Sequence, residues 1–471
     1  MAEPVIANEM EEKPIITNEK ETILHLGDSE YVLIPHDYVF ISFGIDDTAT
    51  IPFLVYPVKP GYVVSRETLR AFRKDVLDRD DVFQPAFAAC LVFLGNLRFG
   101  IEMSGDAYEE LDDWGTKKWI FVHGDPSDPV VPGPFVWAKG MLWQPWKVYY
   151  DFNNQFMKLE SRLSSEAGTK VRVIVPSRCY FSASLSRPLD GMRVAVTASI
   201  DIEGHETIHG NLAERIPSPL ASTTAHCVQS LINFGAIIVG NLKPPAFEIT
   251  KSTNPPGDDQ QTLLGGMSGS AAAIASYDWL DLSIGSDING SVGRPAQFNG
   301  CHAIRPTTGI INTDGMACYS PESGMPGFYA RDLFTFSPII NAMYGRSPMM
   351  IALSKKPTTI LYYYDHIFTL DHEKLRVIDK FITALETSLQ DLYKAAEPSG
   401  ADHEKKFGKS SLIPHSQISK EERDKCRRRC EVSRTWLLDN TVLRPGSQDS
   451  LTIMVLPTED GGSIHPDVPE P

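Results

Sequence analysis

The chain has 471 residues, 42% of them hydrophobic, and a formal net charge of −16 from 60 acidic and 44 basic residues. A chain of this length is too long for one small domain and can bury a sizeable core. The acidic balance repels phosphate backbones and anionic lipid surfaces, which argues against nucleic-acid binding and membrane binding. We therefore expect an acidic, water-soluble protein of two or three domains.

Seven cysteines are scattered along the chain, without the spacing of a disulfide framework. We therefore expect free thiols in a reducing compartment. The N-terminal sequence MAEPVIANEMEEKPIITNEKE lacks the basic and apolar regions of a signal peptide. No apolar run is long enough to span a bilayer. Together these features predict a cytoplasmic protein without a membrane partner.

In the first third of the chain, the amino-acid composition changes near residue 28. Residues 1–28 are polar, acidic and poor in aromatic side chains, which predicts a disordered tail. After them, YVLIP and TIPFLVYPV are typical of strands, and SRETLRAFRKDVL is typical of a helix that begins at Ser65. The pattern predicts a small N-terminal α+β domain over residues 29–155, in which we find no catalytic constellation.

A second pattern begins near residue 156. The strand-like GMRVAVTASIDI, the helix-like STTAHCVQSLINF and the strand-like GAIIVGNL follow one another within about fifty residues. This order predicts an α/β layer with some parallel strand pairing. The helix-like AAAIASYDWL and the strand-like LSIGSDI come next, and LRVIDKFITALETSLQDL predicts a later helix. We assign residues 156–445 to this second domain and residues 446–471 to a tail.

Two glycine-rich turns, GGMSGS and GSDINGS, carry serines close together in the sequence. Glycine allows backbone N–H groups to turn inward at a tight bend. The amides of Ile288, Asn289, Gly290 and Ser291 could therefore surround a developing alkoxide as an oxyanion hole. An ordinary turn built from turn-forming residues is the alternative, and composition alone favours it.

The same stretch resembles a known family. GGMSGSAAAIA, followed by GSDINGSVGRPAQFNGCHAIRPTTGIIN, closely resembles the amidase-signature pattern. GMRVAVTASIDIEG and GAIIVGNLKPPAFE extend the resemblance to about 187–345, and ASYDWLDLSIGSD with the separate N-terminal domain looks most like a fungal branch. The resemblance implies an α/β fold, with a central mixed β-sheet flanked by helices, next to the N-terminal α+β domain.

The family's chemistry, carried over by position, matches only in part. The resemblance implies a serine nucleophile at Ser291, a bridging serine and a neutral lysine base. The bridging position, 24 residues before the nucleophile, is Met267, which has no proton to relay, and the adjacent Ser268 is the candidate replacement. The lysine position is Thr197, and no nearby lysine in that segment obviously takes over. The proton-transfer machinery is therefore expected to be degenerate.

Smaller departures from the family pattern point the same way. Asn289 replaces a glycine of the nucleophile turn, which adds a side chain where substrate should approach. Gly293 and Arg294 are reversed relative to the usual arginine position. The sequence after Ser291 is shorter than the resemblance implies, so we expect a shortened closing part of the second domain.

One competing motif is HETIH, in which His205, Glu206 and His209 fit the HExxH zinc-protease pattern. That chemistry needs a helix, which places both imidazoles on one face. Glycines flank this segment on both sides, so we expect a loop with surface histidines. The sequence predicts no metal site and no cofactor.

Three functional hypotheses follow. The first is an amidase-like hydrolase or acyl transferase that uses Ser291 on a small-molecule amide or ester, by a non-standard proton route. The second is a catalytically deficient homologue that acts as a binding protein. The third is a repurposed enzyme of secondary-metabolite biosynthesis. The expected partner is a small-molecule substrate, and a homodimer is left open.

Overall fold

The chain falls into two compact units in the computed structural model, Met1–Glu248 with Leu263–Ser347, and Ile249–Thr262 with Pro348–Pro471. In the second unit, the described strands are Pro357–Tyr362 and Leu451–Val455, which pair in parallel. The structure describes residues 16–18, 21–36, 49–59, 61–95, 101–123, 131–153, 155–157, 171–208, 220–243, 268–287, 291–317, 324–344, 357–362, 380–381, 383–384 and 451–455.

The first unit contains a nine-stranded sheet and a small two-stranded sheet built mainly from the N-terminal third. The strands of both sheets are β1 (Ile16–Asn18), β2 (Glu21–Leu26), β3 (Ser29–Pro35), β4 (Ile51–Pro57), β5 (Val63–Val64), β6 (Cys90–Gly95), β7 (Glu102–Met103), β8 (Lys118–His123), β9 (Gly133–Ala138), β10 (Met141–Tyr150) and β11 (Arg172–Val175). The large sheet has the order β1-β2-β3-β10-β9-β4-β6-β8, and β11 also pairs with β10. Strands β5 and β7 form the small sheet.

Helix α1 (Arg66–Asp75) confirms the helix predicted after Ser65. The Ser65 hydroxyl accepts a hydrogen bond from the Thr68 amide, and the Thr68 hydroxyl accepts one from the Ser65 amide. This reciprocal capping satisfies two amides that would otherwise have no partner inside the helix. The helix packs against the sheet through Leu69, which is fully buried. A second helix, α2 (Gly105–Asp113), lies on the same hydrophobic cluster.

The large sheet recruits strands from outside the segment 29–155. Strand β2 lies in the segment for which the sequence predicts a tail, and its Leu24 is fully buried. Strand β11 comes from the segment assigned to the second domain, and it pairs with the end of β10. The sheet therefore extends beyond residues 29–155, while the division of the chain at residues 28, 155 and 445 stays a prediction.

A second, five-stranded sheet in the first unit has the order β13-β12-β14-β16-β15. Strand β12 pairs in parallel with β13 and β14, and β16 runs antiparallel to β14 and β15. The strands are β12 (Arg193–Thr197), β13 (Ile237–Leu242), β14 (Leu282–Asp287), β15 (His302–Ile304) and β16 (Met325–Ala330). The helices are α3 (His226–Asn233), α4 (Ser268–Ser276), α5 (Gly293–Asn299) and α6 (Phe336–Tyr344).

Helices cover both faces of this mixed sheet, which confirms the predicted α/β class. Side chains alternate along β12, so Val194 and Val196 join the cluster that contains residues of α3 and α6. Ala195 joins the other cluster, which contains residues of α4 and α5. The strand, helix, strand order predicted from GMRVAVTASIDI, STTAHCVQSLINF and GAIIVGNL is confirmed by β12, α3 and β13.

Two arginines, the buried Arg193 and the partly buried Arg178, connect this sheet to the N-terminal segment. Arg193, fully buried at the start of β12, donates from Nη1 to the Asp81 carboxylate at 2.8 Å and from Nη2 to the Pro176 carbonyl at 2.7 Å. Arg178 binds both oxygens of Asp281, the residue before β14, at 2.8 and 2.9 Å. Because a buried guanidinium without partners is costly, these contacts fix how the two parts of the first unit pack.

The sequence also predicts a helix after residue 370 and no membrane-spanning segment. The helix predicted from LRVIDKFITALETSLQDL lies mostly outside the described residues, of which 380–381 and 383–384 are helical. Within the part of the chain that the structure describes, no helix has both the length and the apolar character needed to cross a membrane.

Candidate active site

Three parallel strands end at one edge of the five-stranded sheet. Thr197 ends β12, Leu242 ends β13 and Asp287 ends β14. Thr197 lies level with Leu242 in the parallel register, and the Ala198 amide donates to the Leu242 carbonyl at 2.9 Å. In open α/β sheets, ligands bind outside the carboxyl ends of the strands. The predicted nucleophile and lysine positions both belong to this edge.

Ser291 lies in the short turn between β14 and α5, and it is partly exposed. The turn is closed by Asp287, whose Oδ2 accepts a hydrogen bond from the Val292 amide at 2.9 Å. The phenol of Tyr329, on β16, donates to the Ser291 carbonyl oxygen at 3.1 Å. Side chains of the sheet therefore hold both polar groups of the peptide bond that joins Ser291 to Val292.

Val292 fixes the same turn by packing. Its side chain is 1% exposed and lies directly over Gly327 of β16. A Cβ placed on Gly327 would lie 2.0 Å from Val292 Cγ2, well inside van der Waals contact. Glycine at position 327 therefore allows the turn to approach the sheet backbone.

The Asp287 carboxylate and the Tyr329 phenol, which lie below the turn, belong to buried residues. Asp287 is 1% exposed, and the Arg305 guanidinium lies 3.7 Å from its Oδ1. Burial raises the pKa of Tyr329 far above its ordinary value, and the nearby Asp287 carboxylate raises it further. Tyr329 therefore stays protonated at neutral pH and serves as a hydrogen-bond donor to the Ser291 carbonyl.

Several predicted site residues, or their side chains, lie outside the part of the chain that the structure describes. Met267 and the three residues assigned to the oxyanion hole, Ile288, Asn289 and Gly290, lie outside the described residues. Ser268 is the first residue of α4, and its side chain also lies outside the described part. The oxyanion hole and the bridging role of Ser268 stay predictions.

Thr197, for which the sequence analysis predicts the lysine position of the family, is 1% exposed. The chain turns immediately after it, because the Ile200 amide donates to the Thr197 carbonyl at 3.0 Å. A threonine hydroxyl does not accept a proton at neutral pH, so this residue cannot act as the base. Thr197 is therefore part of the packed edge of the sheet.

The HETIH segment is a loop over its described residues, 205–208, as predicted. His205 Nδ1 lies 3.0 Å from the Glu203 carbonyl, and Glu206 forms a β-bridge with Leu220. His209 lies outside the described residues. Among the side chains that the structure describes, no group of three or more His, Cys, Asp or Glu is arranged to hold a metal ion.

The sequence that follows residue 156 is similar to a known protein family. Residues 178–395 match the family model named Amidase. Residues 178–395, the amidase segment, are therefore similar to this family. The predicted resemblance to amidase-signature proteins is confirmed, and its fungal branch stays a prediction.

Curated relatives match the amidase segment at moderate identity. Two of them are glutamyl-tRNA(Gln) amidotransferase subunits. The protein from Deinococcus deserti is 30% identical over 169 residues, 34% of each chain. The one from Methanospirillum hungatei is 30% identical over 203 residues, 41% of this chain and 45% of the relative. The chain spans about a third to a half of the length of the curated relatives that it matches.

Solved structures also match over less than half of their length. The peptide amidase from Stenotrophomonas maltophilia is 21% identical, with a TM-score of 0.33 over 44% of this chain and 47% of that one. An amidase family protein from Bacillus anthracis is 20% identical, with a TM-score of 0.36 over 43% and 46%.

The amidase segment has two charged residues at the strand edge that the sequence analysis did not single out, Asp287 at the end of β14 and Lys243. Lys243 directly follows β13, one residue beyond the register partner of Thr197. Its amide donates to the Gln155 carbonyl at 2.9 Å, and its own carbonyl oxygen faces Gly269 of α4. The sequence predicts some parallel strand pairing, and applying it to the segments that form β12 and β13 would have placed the backbone of Lys243 near the end of β12.

Proposed function

We propose that this chain is an amidase-like hydrolase or acyl transferase that acts on a small-molecule amide or ester through Ser291. The observation that carries the proposal is the position of Ser291. It lies partly exposed at the carboxyl edge of the parallel strands, in a turn that Asp287 and Tyr329 fix from below. A nucleophile held in this way loses little conformational freedom when it attacks a bound substrate.

In the proposed reaction, the Ser291 oxygen attacks the substrate carbonyl carbon and its proton leaves to a base. The amides of Ile288, Asn289 and Gly290 would stabilise the resulting oxyanion. When the amine or alcohol leaves, an acyl-enzyme remains on Ser291. Water then releases the acid, or another acceptor takes the acyl group.

The machinery for moving the proton is proposed to be degenerate relative to the family pattern. Thr197 replaces the lysine and Met267 replaces the bridging serine, and Ser268 is the proposed substitute for the latter. Loss of the base of a serine nucleophile costs about 10⁴ to 10⁶ in turnover and leaves about 10³ over water. A slow enzyme, or one with another base, is therefore expected.

The second candidate function is a catalytically deficient homologue that binds a small molecule, or an enzyme repurposed for secondary-metabolite biosynthesis. The observation that favours it is the burial of Thr197, which is 1% exposed at the lysine position. The threonine side chain at position 197 cannot act as a proton acceptor at neutral pH.

A fluorophosphonate probe, which reacts covalently with activated serines, separates the two candidates. We expect labelling of the wild type, none of Ser291→Ala, and wild-type labelling of Ser276→Ala. Ser276 is the matched control because it is an exposed serine at the end of α4. Failure of the folded wild type to react, or equal labelling of Ser291→Ala, would reject the hydrolase and favour the second candidate.

The substrate is proposed to be a small molecule, with no nucleic-acid or membrane partner, in a cytoplasmic setting. A homodimer is left open, and sedimentation of the purified chain tests it directly.

A further inference from the structure

We propose that Arg305 is a positioning residue for Ser291, which acts through the buried carboxylate of Asp287. This inference rests on the proposed function of Ser291 and deepens it. The sequence analysis gives Arg305 no role, and the residue is not proposed to contact the substrate. Its effect on the reaction passes through the peptide bond that follows the nucleophile.

The Asp287 carboxylate holds that peptide bond from one side. Its Oδ2 accepts a hydrogen bond from the Val292 amide at 2.9 Å, while the Tyr329 phenol donates to the Ser291 carbonyl oxygen at 3.1 Å. The two side chains belong to neighbouring strands, β14 and β16. Because a peptide bond is planar, binding its N–H and its C=O fixes the plane from which the Ser291 residue extends.

Asp287 is a charged side chain that water hardly reaches. It is 1% exposed. Taking an ionised carboxylate out of water is costly unless hydrogen bonds and an opposite charge compensate it. The Val292 amide supplies a hydrogen bond but no formal charge. A cation beside the carboxylate lowers the remaining cost and thereby strengthens the hold on the peptide bond.

Arg305 brings such a cation from another strand of the sheet. It directly follows β15, and β16 lies between β15 and β14, the strand that ends at Asp287. The Arg305 Nε lies 3.7 Å from Asp287 Oδ1, which is within ion-pair distance. The guanidinium and the Val292 amide therefore face different oxygens of one carboxylate.

Two local contacts hold the guanidinium of Arg305. Nη2 donates to Thr308 Oγ1 at 3.2 Å, and Nη1 donates to the Pro306 carbonyl at 3.3 Å. A guanidinium carries five N–H donors, so these contacts still leave Nε for Asp287. The Arg305 side chain is 33% exposed, so solvent screens part of its charge and the expected effect is moderate.

The test is the rate constant of the covalent step in Ser291-dependent fluorophosphonate labelling, measured separately from the affinity for the probe. We expect Arg305→Met to lower this rate constant about 3- to 30-fold and to change the affinity by less than about twofold. A carboxylate without its counter-charge is drawn towards water or takes up a proton, and either change weakens its bond to the Val292 amide.

Two further variants calibrate that loss. Arg305→Lys keeps the positive charge and should restore most of the rate constant. Arg187→Met is the matched control, because Arg187 also pairs with a carboxylate, that of Asp190 at 2.9 Å, but precedes β12 instead of following β15. It should label at the wild-type rate.

A double-mutant cycle with Asp287→Asn separates positioning from a purely structural role. An asparagine can still accept the Val292 amide, but it carries no charge for Arg305 to compensate. Asp287→Asn is itself expected to label more slowly than the wild type, and adding Arg305→Met should then slow it further by less than about twofold. A loss that arises only from the contacts with Thr308 and Pro306 would be equal in both backgrounds.

The outcomes separate this inference from the proposed function. If Arg305→Met keeps the wild-type rate constant while labelling still requires Ser291, the inference is overturned and the role of Ser291 stands. Equal slowing with and without Asp287→Asn also overturns it, because Arg305 is then structural. If the folded wild type does not label at all, the proposed function fails and the inference fails with it. Should Arg305→Met not fold, Arg305→Gln, which keeps an amide donor but no charge, replaces it.

Discussion

The Tyr329 phenol donates a hydrogen bond of 3.1 Å to the carbonyl oxygen of Ser291, across 38 residues of sequence. Tyr329 belongs to β16, which runs antiparallel to the strand that precedes the nucleophile turn. The sheet therefore contacts the backbone of Ser291 directly and leaves its hydroxyl free of this interaction. We expect the geometry of the nucleophile to depend on this phenol.

Tyr329→Phe removes the hydroxyl and leaves the ring in place. A hydrogen bond of this kind contributes about 1 kcal/mol, so the free energy of unfolding should fall by about that amount. If the bond also positions the nucleophile, fluorophosphonate labelling should slow by about fivefold, which 1 kcal/mol represents. Chemical denaturation and labelling kinetics measure the two effects separately. An unchanged labelling rate in a destabilised variant would limit Tyr329 to a structural role.

Gly327→Ala tests the packing under the turn. The added Cβ would meet Val292 Cγ2 at 2.0 Å, and Val292 is buried, so the turn must move or the sheet must open. Overpacking of this kind costs about 1 to 3 kcal/mol. We expect a lower melting temperature and slower labelling of Ser291.

Gly293→Ala is the matched control for that substitution. Gly293 lies two residues after the nucleophile, at the start of α5, and a Cβ there meets nothing within 4 Å. Alanine also favours helix over glycine by about 1 kcal/mol. We expect unchanged or slightly higher stability, and equal losses in Gly293→Ala and Gly327→Ala would contradict the packing argument.

Arg193→Met should destabilise the first unit. The substitution leaves the Asp81 carboxylate without its 2.8 Å partner and the Pro176 carbonyl without its donor. Removing one member of a buried ion pair costs about 3 to 5 kcal/mol, and urea unfolding monitors the loss. The double variant Arg193→Met with Asp81→Asn should recover part of it, because it removes a carboxylate charge that only Arg178, at 3.4 Å, would still balance.

The same pair predicts a dependence of stability on pH. Burial acts to raise the pKa of Asp81, but the hydrogen bond and charge of Arg193, together with the Tyr149 hydrogen bond and the charge of Arg178, outweigh it, so the pKa is lowered overall. A carboxyl whose pKa is lower in the folded state contributes stability above its unfolded pKa of about 3.9. That contribution is lost as the pH falls through the folded value. The unfolding free energy of Arg193→Met should therefore depend less on pH in this acidic range than that of the wild type.

Thr197→Lys combined with Met267→Ser restores the family pattern of a lysine and a bridging serine. We expect a rise of about 10² to 10⁴ in the rate of amide hydrolysis or probe labelling, the usual contribution of a positioned base. Thr197→Lys alone is the control, because it lacks the bridging hydroxyl. No gain in a folded double variant would mean that the pocket has diverged beyond these two positions.

Much of the fold could be read from local pattern. The strand-like GMRVAVTASIDI, the helix-like STTAHCVQSLINF and the capped helix after Ser65 each carry their own periodicity or capping residues. Neighbouring residues specify these features, so the sequence predicts them without knowledge of the rest. The amidase resemblance was visible for the same reason, since its motifs are contiguous stretches.

The contacts between distant residues that shape the site could not be predicted from the sequence. Sequence reasoning placed Ser291 in its turn but missed Tyr329 and Lys243.

By itself, the sequence determined the α/β class, the order of β12, α3 and β13, the capped helix after Ser65 and the turn that contains Ser291, because short-range periodicity and contiguous motifs encode them. Only the tertiary structure decided which distant residues meet. Strand register brings Lys243 beside the end of β12, and sheet pairing brings Tyr329 under Ser291. Arg193 meets Asp81 across 112 residues in the same way. Such meetings depend on how whole elements pair and pack, which no local pattern specifies.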